Sequence, residues 1–144
     1  MTSSIFPDVN VWLALSYPGH VHHEAAAGWF AALDDGATFV FCRHTQLGFF
    51  RLMTTEAVLG KDVRTERQCW ETYDRWIDAA KAILAQEPLD MESNLRLRTN
   101  ANLASPKSWA DAYLAAFAET ARLTLVTLDR ALAGKAKGSI LLEQ

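Results

Sequence analysis

Apolar residues along the chain alternate between short strand-like runs and helical stripes. Ser3 to Pro7 reads as a short strand ending at Asp8, with Pro7 counting against it because proline cannot donate to a ladder. Asp8 is placed to cap a helix over Val9 to Ser16, which Tyr17-Pro18-Gly19 ends. Val21, Ala25, Trp29 and Leu33 recur at helical spacing, Phe30 widens the stripe, and Gly36 suits the exit. Thr38 to Cys42 is a β-branched and aromatic run, hence a buried strand, and Thr45 to Met53 follows as a helix. After a loop at Gly60-Lys61-Asp62, Thr65 and Gln68 form a capping box. Tyr73, Trp76, Ile77, Ala80, Ile83 and Leu84 then keep helical register up to Pro88. A short helix is predicted over Met91 to Thr99 and a turn at Ser105-Pro106. Trp109, Ala112, Tyr113, Ala116 and Phe117 form the stripe of the next helix. Leu123 to Leu128 is a strand, Arg130 to Ala133 a helical turn, and Ser139 to Leu142 a last short strand.

Strands that alternate with helices pair in parallel through crossover connections. The expectation is an α/β fold built as one domain over residues 1–144, since a chain of 144 residues is long enough for a single core. In open sheets of this kind, sites lie outside the carboxyl ends of the strands. Asp8 and Asp129 each follow a predicted strand directly, and Asp111 opens a helix expected beside that edge. Taken singly, each has a plain structural role. Asp8 and Asp129 serve as N-caps, and Asp111 stands three residues after Ser108, as the acidic member of a capping-box-like pair would. Taken together, carboxylates gathered on one edge repel one another unless a cation sits between them, which points to a divalent metal and to phosphoryl-transfer chemistry.

Composition narrows the setting. Half the residues are apolar, so the chain is globular and not disordered. Cys42 and Cys69 each lie in an apolar segment and are expected as reduced, buried thiols of a cytoplasmic protein. The N-terminus shows neither the basic region nor the long apolar run of a signal peptide, and no apolar stretch is long enough to cross a bilayer. A net charge of −3 does not advertise nucleic-acid binding, but acids of a metal site count as negative until a cation binds them.

Four segments, in order, carry a family resemblance. They are Asp8-Val9-Asn10-Val11-Trp12-Leu13-Ala14-Leu15, Thr45-Gln46-Leu47-Gly48-Phe49-Phe50-Arg51-Leu52, Trp109 to Ala118, and Val126-Thr127-Leu128-Asp129-Arg130-Ala131-Leu132. The chain resembles a PIN-domain ribonuclease, and more closely a VapC toxin of bacterial VapBC toxin–antitoxin pairs. The resemblance implies a three-layer α/β/α domain with a small parallel sheet of four to five strands. It implies metal-dependent endonucleolytic cleavage of structured RNA, often tRNA or rRNA, with inhibition of translation and growth. It also implies a VapB-like antitoxin as partner, and a homodimer that joins the antitoxin in a heterotetramer or larger complex.

Asp8, Asp111 and Asp129 match three of the family's acidic positions and are the expected catalytic and metal-holding residues, with Mg²⁺ or Mn²⁺ as the cation. Many members carry a glutamate where this chain has Gln46, which leaves one fewer charge for a second metal. Gln46, Asn10 and Thr127 are read as pocket support, able to hold carboxylates or waters. Arg51 and Arg130 are candidate RNA phosphate contacts, and Lys61, Lys107, Lys135 and Lys137 candidate members of an RNA-binding rim. His20, His22 and His23 lack a third metal ligand in register and read as ordinary histidines of a helix-entry loop. Two other readings compete. One is a PIN-like domain that binds RNA or protein without cutting, favoured by Gln46. The other is a phosphoryl-acceptor domain, which needs a second acid where Asn10 stands.

Overall fold

The computed structural model describes residues 3–79 and 81–143. Its elements run β1 (Ser4–Pro7), α1 (Val9–Ser16), α2 (His23–Ala31), β2 (Thr38–Phe41), α3 (Arg43–Met53), α4 (Glu56–Leu59), α5 (Glu66–Asp78), β3 (Ala82–Leu84), α6 (Met91–Arg98), α7 (Ser108–Ala121), β4 (Thr124–Thr127), α8 (Arg130–Ala133) and β5 (Ile140–Leu141). The five strands form one sheet in the order β3-β2-β1-β4-β5, with every pair parallel. The chain therefore builds outward from β1 to β2 and β3 on one side, then returns to add β4 and β5 on the other. The order reverses between β1 and β4, the place where open α/β sheets leave a crevice at their carboxyl ends.

Alternation along the strands sends side chains into two cores. Ile5, Phe39, Phe41 and Val126 pack with α1, α2, α3 and α5. Phe6, Val40, Cys42 and Leu125 pack with α6, α7 and α8. The result is the expected α/β/α sandwich. Its first core centres on Trp12, fully buried on α1, which stacks on Phe41 at 3.8 Å between ring centroids and meets Phe39 and Trp76 edge-on at 5.8 and 5.2 Å. Such pairs add to the area they bury. The Trp12 indole N–H has no hydrogen-bond partner among the described residues, so the anchor is held by packing alone. Nearby, a Cβ at Gly48 would lie 2.7 Å from Val9 Cγ2, so only glycine lets α3 approach the start of α1 this closely.

Local signals explain most elements. The Asp8 carboxylate accepts from Val11 N at 3.1 Å and caps α1. Thr65 and Gln68 form their reciprocal box at the start of α5. Pro7 stands at the carboxyl end of β1, where the next donor, Asp8 N, takes over the ladder and reaches Val126 O at 2.9 Å.

Four expectations are corrected. The helical register does not continue to Pro88: α5 stops at Asp78, and Ala82–Leu84 is an edge strand paired with Phe39–Phe41. A short apolar run fits either period, and ladder bonds to β2 decided between them. Of the residues in that stripe, Ala80 lies outside the described residues. Val21 is 80% exposed and precedes α2, which starts at His23. Trp109 is 61% exposed and lines a surface cavity with Arg98 and Leu103 rather than joining the stripe of α7. Ser108 and Asp111 form no capping box, because the Ser108 hydroxyl donates to Ser105 O at 2.9 Å and Lys107 occupies the cap position.

Trp12→Ala should lower the unfolding free energy by about 3–5 kcal/mol, the usual range for emptying a buried aromatic site. Trp12→Phe should cost much less, because it keeps a stacking ring and removes an unpaired donor. Urea denaturation of both variants measures the difference.

Candidate active site

The register of β1 and β4 pairs Ile5 with Thr124, Phe6 with Leu125 and Pro7 with Val126, which sets Asp8 opposite Thr127 at the switch point. Both residues are buried. The Thr127 hydroxyl donates to Asp8 Oδ2 and accepts from Asp129 N at 2.9 Å. One side chain thus ties a buried carboxylate to the backbone of the next acid. Asp129 caps α8, its Oδ1 accepting from Ala131 N at 2.8 Å and Leu132 N at 3.4 Å, and it stands exposed at the rim.

Burial pushes the Asp8 carboxyl up from 3.8 to about 6, and the Asp129 charge adds to the rise. Hydrogen bonds from Thr127, Val11 and Asn10 oppose it without cancelling it. Asp8 Oδ1 accepts from Val11 N and Oδ2 from the Thr127 hydroxyl, and the carboxylate keeps lone-pair capacity. A buried, repelled carboxylate with free oxygen lone pairs is a donor that a hard cation satisfies, so the residues present fit Mg²⁺ or Mn²⁺. Among the described residues no three His, Cys, Asp or Glu side chains already form a metal cage. The structure links Asp8 with Asp129 through Thr127, while Asp111 faces Lys135 and is not gathered with them into one cluster.

The remaining candidates spread around this centre. Asp111 lies in the first turn of α7, part-buried, with its Oδ2 3.4 Å from Lys135 Nζ. Lys135, expected only as a rim lysine, makes this contact across 24 residues, a separation that leaves no local signal in the chain. Gln46 is 1% exposed, and its Oε1 accepts from Arg43 Nη1 at 2.5 Å. Its carbonyl oxygen is therefore already engaged on the β2 side of the edge. Asn10 sits in the first turn of α1 with its side chain exposed. Arg130 opens α8 beside Asp129, and Arg51 lies in the last turn of α3, both exposed. The His44 ring lies tilted 5.7 Å from that of Tyr113, and burial, helped by the Arg51 charge, holds its imidazole below the usual value. Beyond it, Arg43, Glu87, Tyr113 and Phe117 line a cavity of about 340 Å³ along the ends of β2 and β3. His23 Nδ1 bonds Ala14 O at 2.7 Å and His20 Nδ1 accepts from His22 N at 3.0 Å, the structural roles expected of them.

The raised Asp8 value has a definite sign for stability. Folding favours the protonated form, so stability falls as pH rises from about 4 to about 6 and the full cost, on the order of 3 kcal/mol, is present above that. Asp8→Asn removes an ionisation that the fold resists. In chelator, its melting temperature should exceed the parent's at pH 7.5, and the gap should close towards pH 4. Thermal melts at the two pH values check this; a gap independent of pH would mean that Asp8 is not held in this state.

Comparisons with known proteins agree with the fold. The sequence matches the PIN domain family over residues 5–138. It is 41% identical over 128 residues to ribonuclease VapC41 of Mycobacterium tuberculosis, covering 86% of this chain and 88% of that protein. It is 32% identical over 133 residues to ribonuclease VapC29 of the same organism, covering 90% and 89%. Among solved structures, Mycobacterium tuberculosis VapC20, a sarcin-ricin loop cleaving toxin, superimposes with a TM-score of 0.62 at 16% identity over 90% of this chain and 93% of that one. The VapBC2 structure from Rickettsia felis, bound to a promoter DNA fragment, gives 0.65 at 12% identity over 96% of both chains. These two share the fold, while the family rests on the sequence matches: this chain belongs to the PIN-domain family and, within it, to the VapC ribonucleases.

Proposed function

We propose that this protein is a divalent-metal-dependent endoribonuclease and the toxin of a toxin–antitoxin pair, cutting structured RNA such as tRNA or rRNA and so arresting translation and growth. The observation that carries the reading is Asp8: a buried carboxylate pushed up to about 6, beside a second acid, at the reversal of strand order. Its cap on α1 needs an acceptor but not a charge, and a cation would relieve the cost of burying that charge. The names of the ribonuclease relatives support the activity, and the VapC20 structure supports a structured RNA as substrate.

In this reading Asp8, Asp111 and Asp129 hold the metal, directly or through water. When bound, the cation supplies Lewis-acid polarisation of the phosphate and lowers the pKa of water at the site. Thr127 aims the Asp8 carboxylate and fixes the backbone of Asp129. One of the carboxylates orients water for in-line attack. Arg130, next to Asp129, and Arg51 are the proposed phosphate contacts, since a guanidinium binds phosphate bidentately. The cavity beside Tyr113 leaves room for RNA along the same edge.

With Mg²⁺ or Mn²⁺, the purified protein should cut a structured RNA such as total tRNA, and chelator should stop it. Asp8→Asn should lose at least a hundredfold in rate while binding RNA as before. Gel analysis of the products reads both results. Undiminished cleavage in chelator would sink the metal mechanism, and binding with no cleavage in any metal would favour the non-catalytic reading.

The VapBC2 structure supports a VapB-like antitoxin as partner, and we extend this to a homodimer that carries it in a heterotetramer or larger complex. Expression of the chain alone should slow growth, and co-expression of a small neighbouring antitoxin gene should restore it. Growth curves with Asp8→Asn provide the control: if that variant is as toxic as the parent, the arrest does not come from this site.

A further inference from the structure

Asp111 has a cation beside it before any metal arrives. Lys135 Nζ lies 3.4 Å from Asp111 Oδ2, with the ammonium side chain 42% exposed and the carboxylate side chain 23%. Lys135 belongs to the turn after α8, and the position of that turn is set by Arg98 at the end of α6. Arg98 Nη1 donates to the Lys135 carbonyl at 2.8 Å, Nε donates to Asn94 Oδ1 at 2.8 Å, and Nη2 pairs with Glu119 Oε2 at 3.1 Å. Asn94 Nδ2 closes the ring by donating to Glu119 Oε1 at 2.8 Å and Thr120 Oγ1 at 3.1 Å. One planar guanidinium thus clamps α6, α7 and the turn together. The lysine springs from that fixed backbone and lies against the acid one turn into α7.

We propose that Lys135 is a built-in competitor of the divalent cation at Asp111, set in place by Arg98. The proposal rests on the reading of Asp111 as a metal-holding residue. A cation that takes the Asp111 carboxylate must first displace the ammonium, so metal affinity is held below what the acids alone would give. The displaced ammonium stays at the site as a free positive charge. Lys137, two residues on, makes no ion pair among the described residues and offers a control that removes the same charge without the contact.

The test is Mn²⁺ binding by isothermal titration calorimetry to the full chain, with circular dichroism confirming the fold of each variant. Lys135→Met should bind Mn²⁺ about two- to fivefold tighter than the parent, the range set by a partly exposed ion pair. Lys135→Arg should keep the parent's affinity, because a cation still faces the acid. Arg98→Met should shift affinity in the same direction as Lys135→Met but by less, and Lys137→Met should shift it little. Equal affinity for the parent and Lys135→Met, or equal gains from Lys135→Met and Lys137→Met, would overturn the competition. A parent-like Arg98→Met would remove the role of the clamp alone. If neither the parent nor Lys135→Met binds Mn²⁺ at all, the metal reading falls and this inference with it.

Discussion

The parallel pairing of β1 with β4 is the constraint on which the rest of this structure depends. Its register places Phe6 and Leu125 in one core, Ile5 and Val126 in the other, and Asp8 opposite Thr127. A slip of one residue would turn each of these side chains to the wrong face. The packing of two cores therefore enforces the alignment that brings a threonine hydroxyl onto a buried acid. The bond from Asp8 N to Val126 O extends this register one residue past the end of β1 and fixes the backbone from which the acid projects.

Around that pair the acids differ in how firmly they are held. Asp8 is buried, caps α1 and sits four residues before the aromatic anchor Trp12, so the start of α1 has little freedom. Asp129 is exposed, but its amide is bound to Thr127 and its carboxylate to the first turn of α8. Asp111 lies in the first turn of α7, on the opposite face of the sheet from α1, and pairs with Lys135. Asp8 and Asp129 are thus joined through Thr127, whereas Asp111 stands on a third element and is paired with a lysine. In stability terms Asp8 works against the fold at neutral pH, and the aromatic core packed beside it offsets that cost.

The β2 side of the edge has a separate character. Gln46 is buried and its carbonyl oxygen is engaged by Arg43. Gly48 lets α3 sit against Val9, which brings the start of α3, with Arg43 and His44, to the same sheet edge as Asp8. The ends of β2 and β3 thus present a guanidinium, an imidazole and the Tyr113 hydroxyl, which donates to Glu87 at 2.8 Å.

Features that arise from neighbours in sequence were legible in the chain itself. The strands at Ser4–Pro7, Thr38–Phe41 and Thr124–Thr127, the Asp8 and Asp129 caps, and the Thr65–Gln68 box each rest on periodicity or on a bond within three residues. Parallel order followed from their alternation with helices, and the placing of Asp8 and Asp129 at strand ends followed from that. Tertiary structure decided whatever depended on distant partners. Ala82–Leu84 is a strand because β2 offers it ladder bonds, although its spacing also continued a helix. Trp109 and Val21 are exposed because no element covers them, which no apolar pattern records. Thr127 became the link between two acids across 119 residues, and Lys135 the counter-ion of Asp111 across 24. Contacts at such separations are set by register and helix packing, and these exist only once the whole chain has folded.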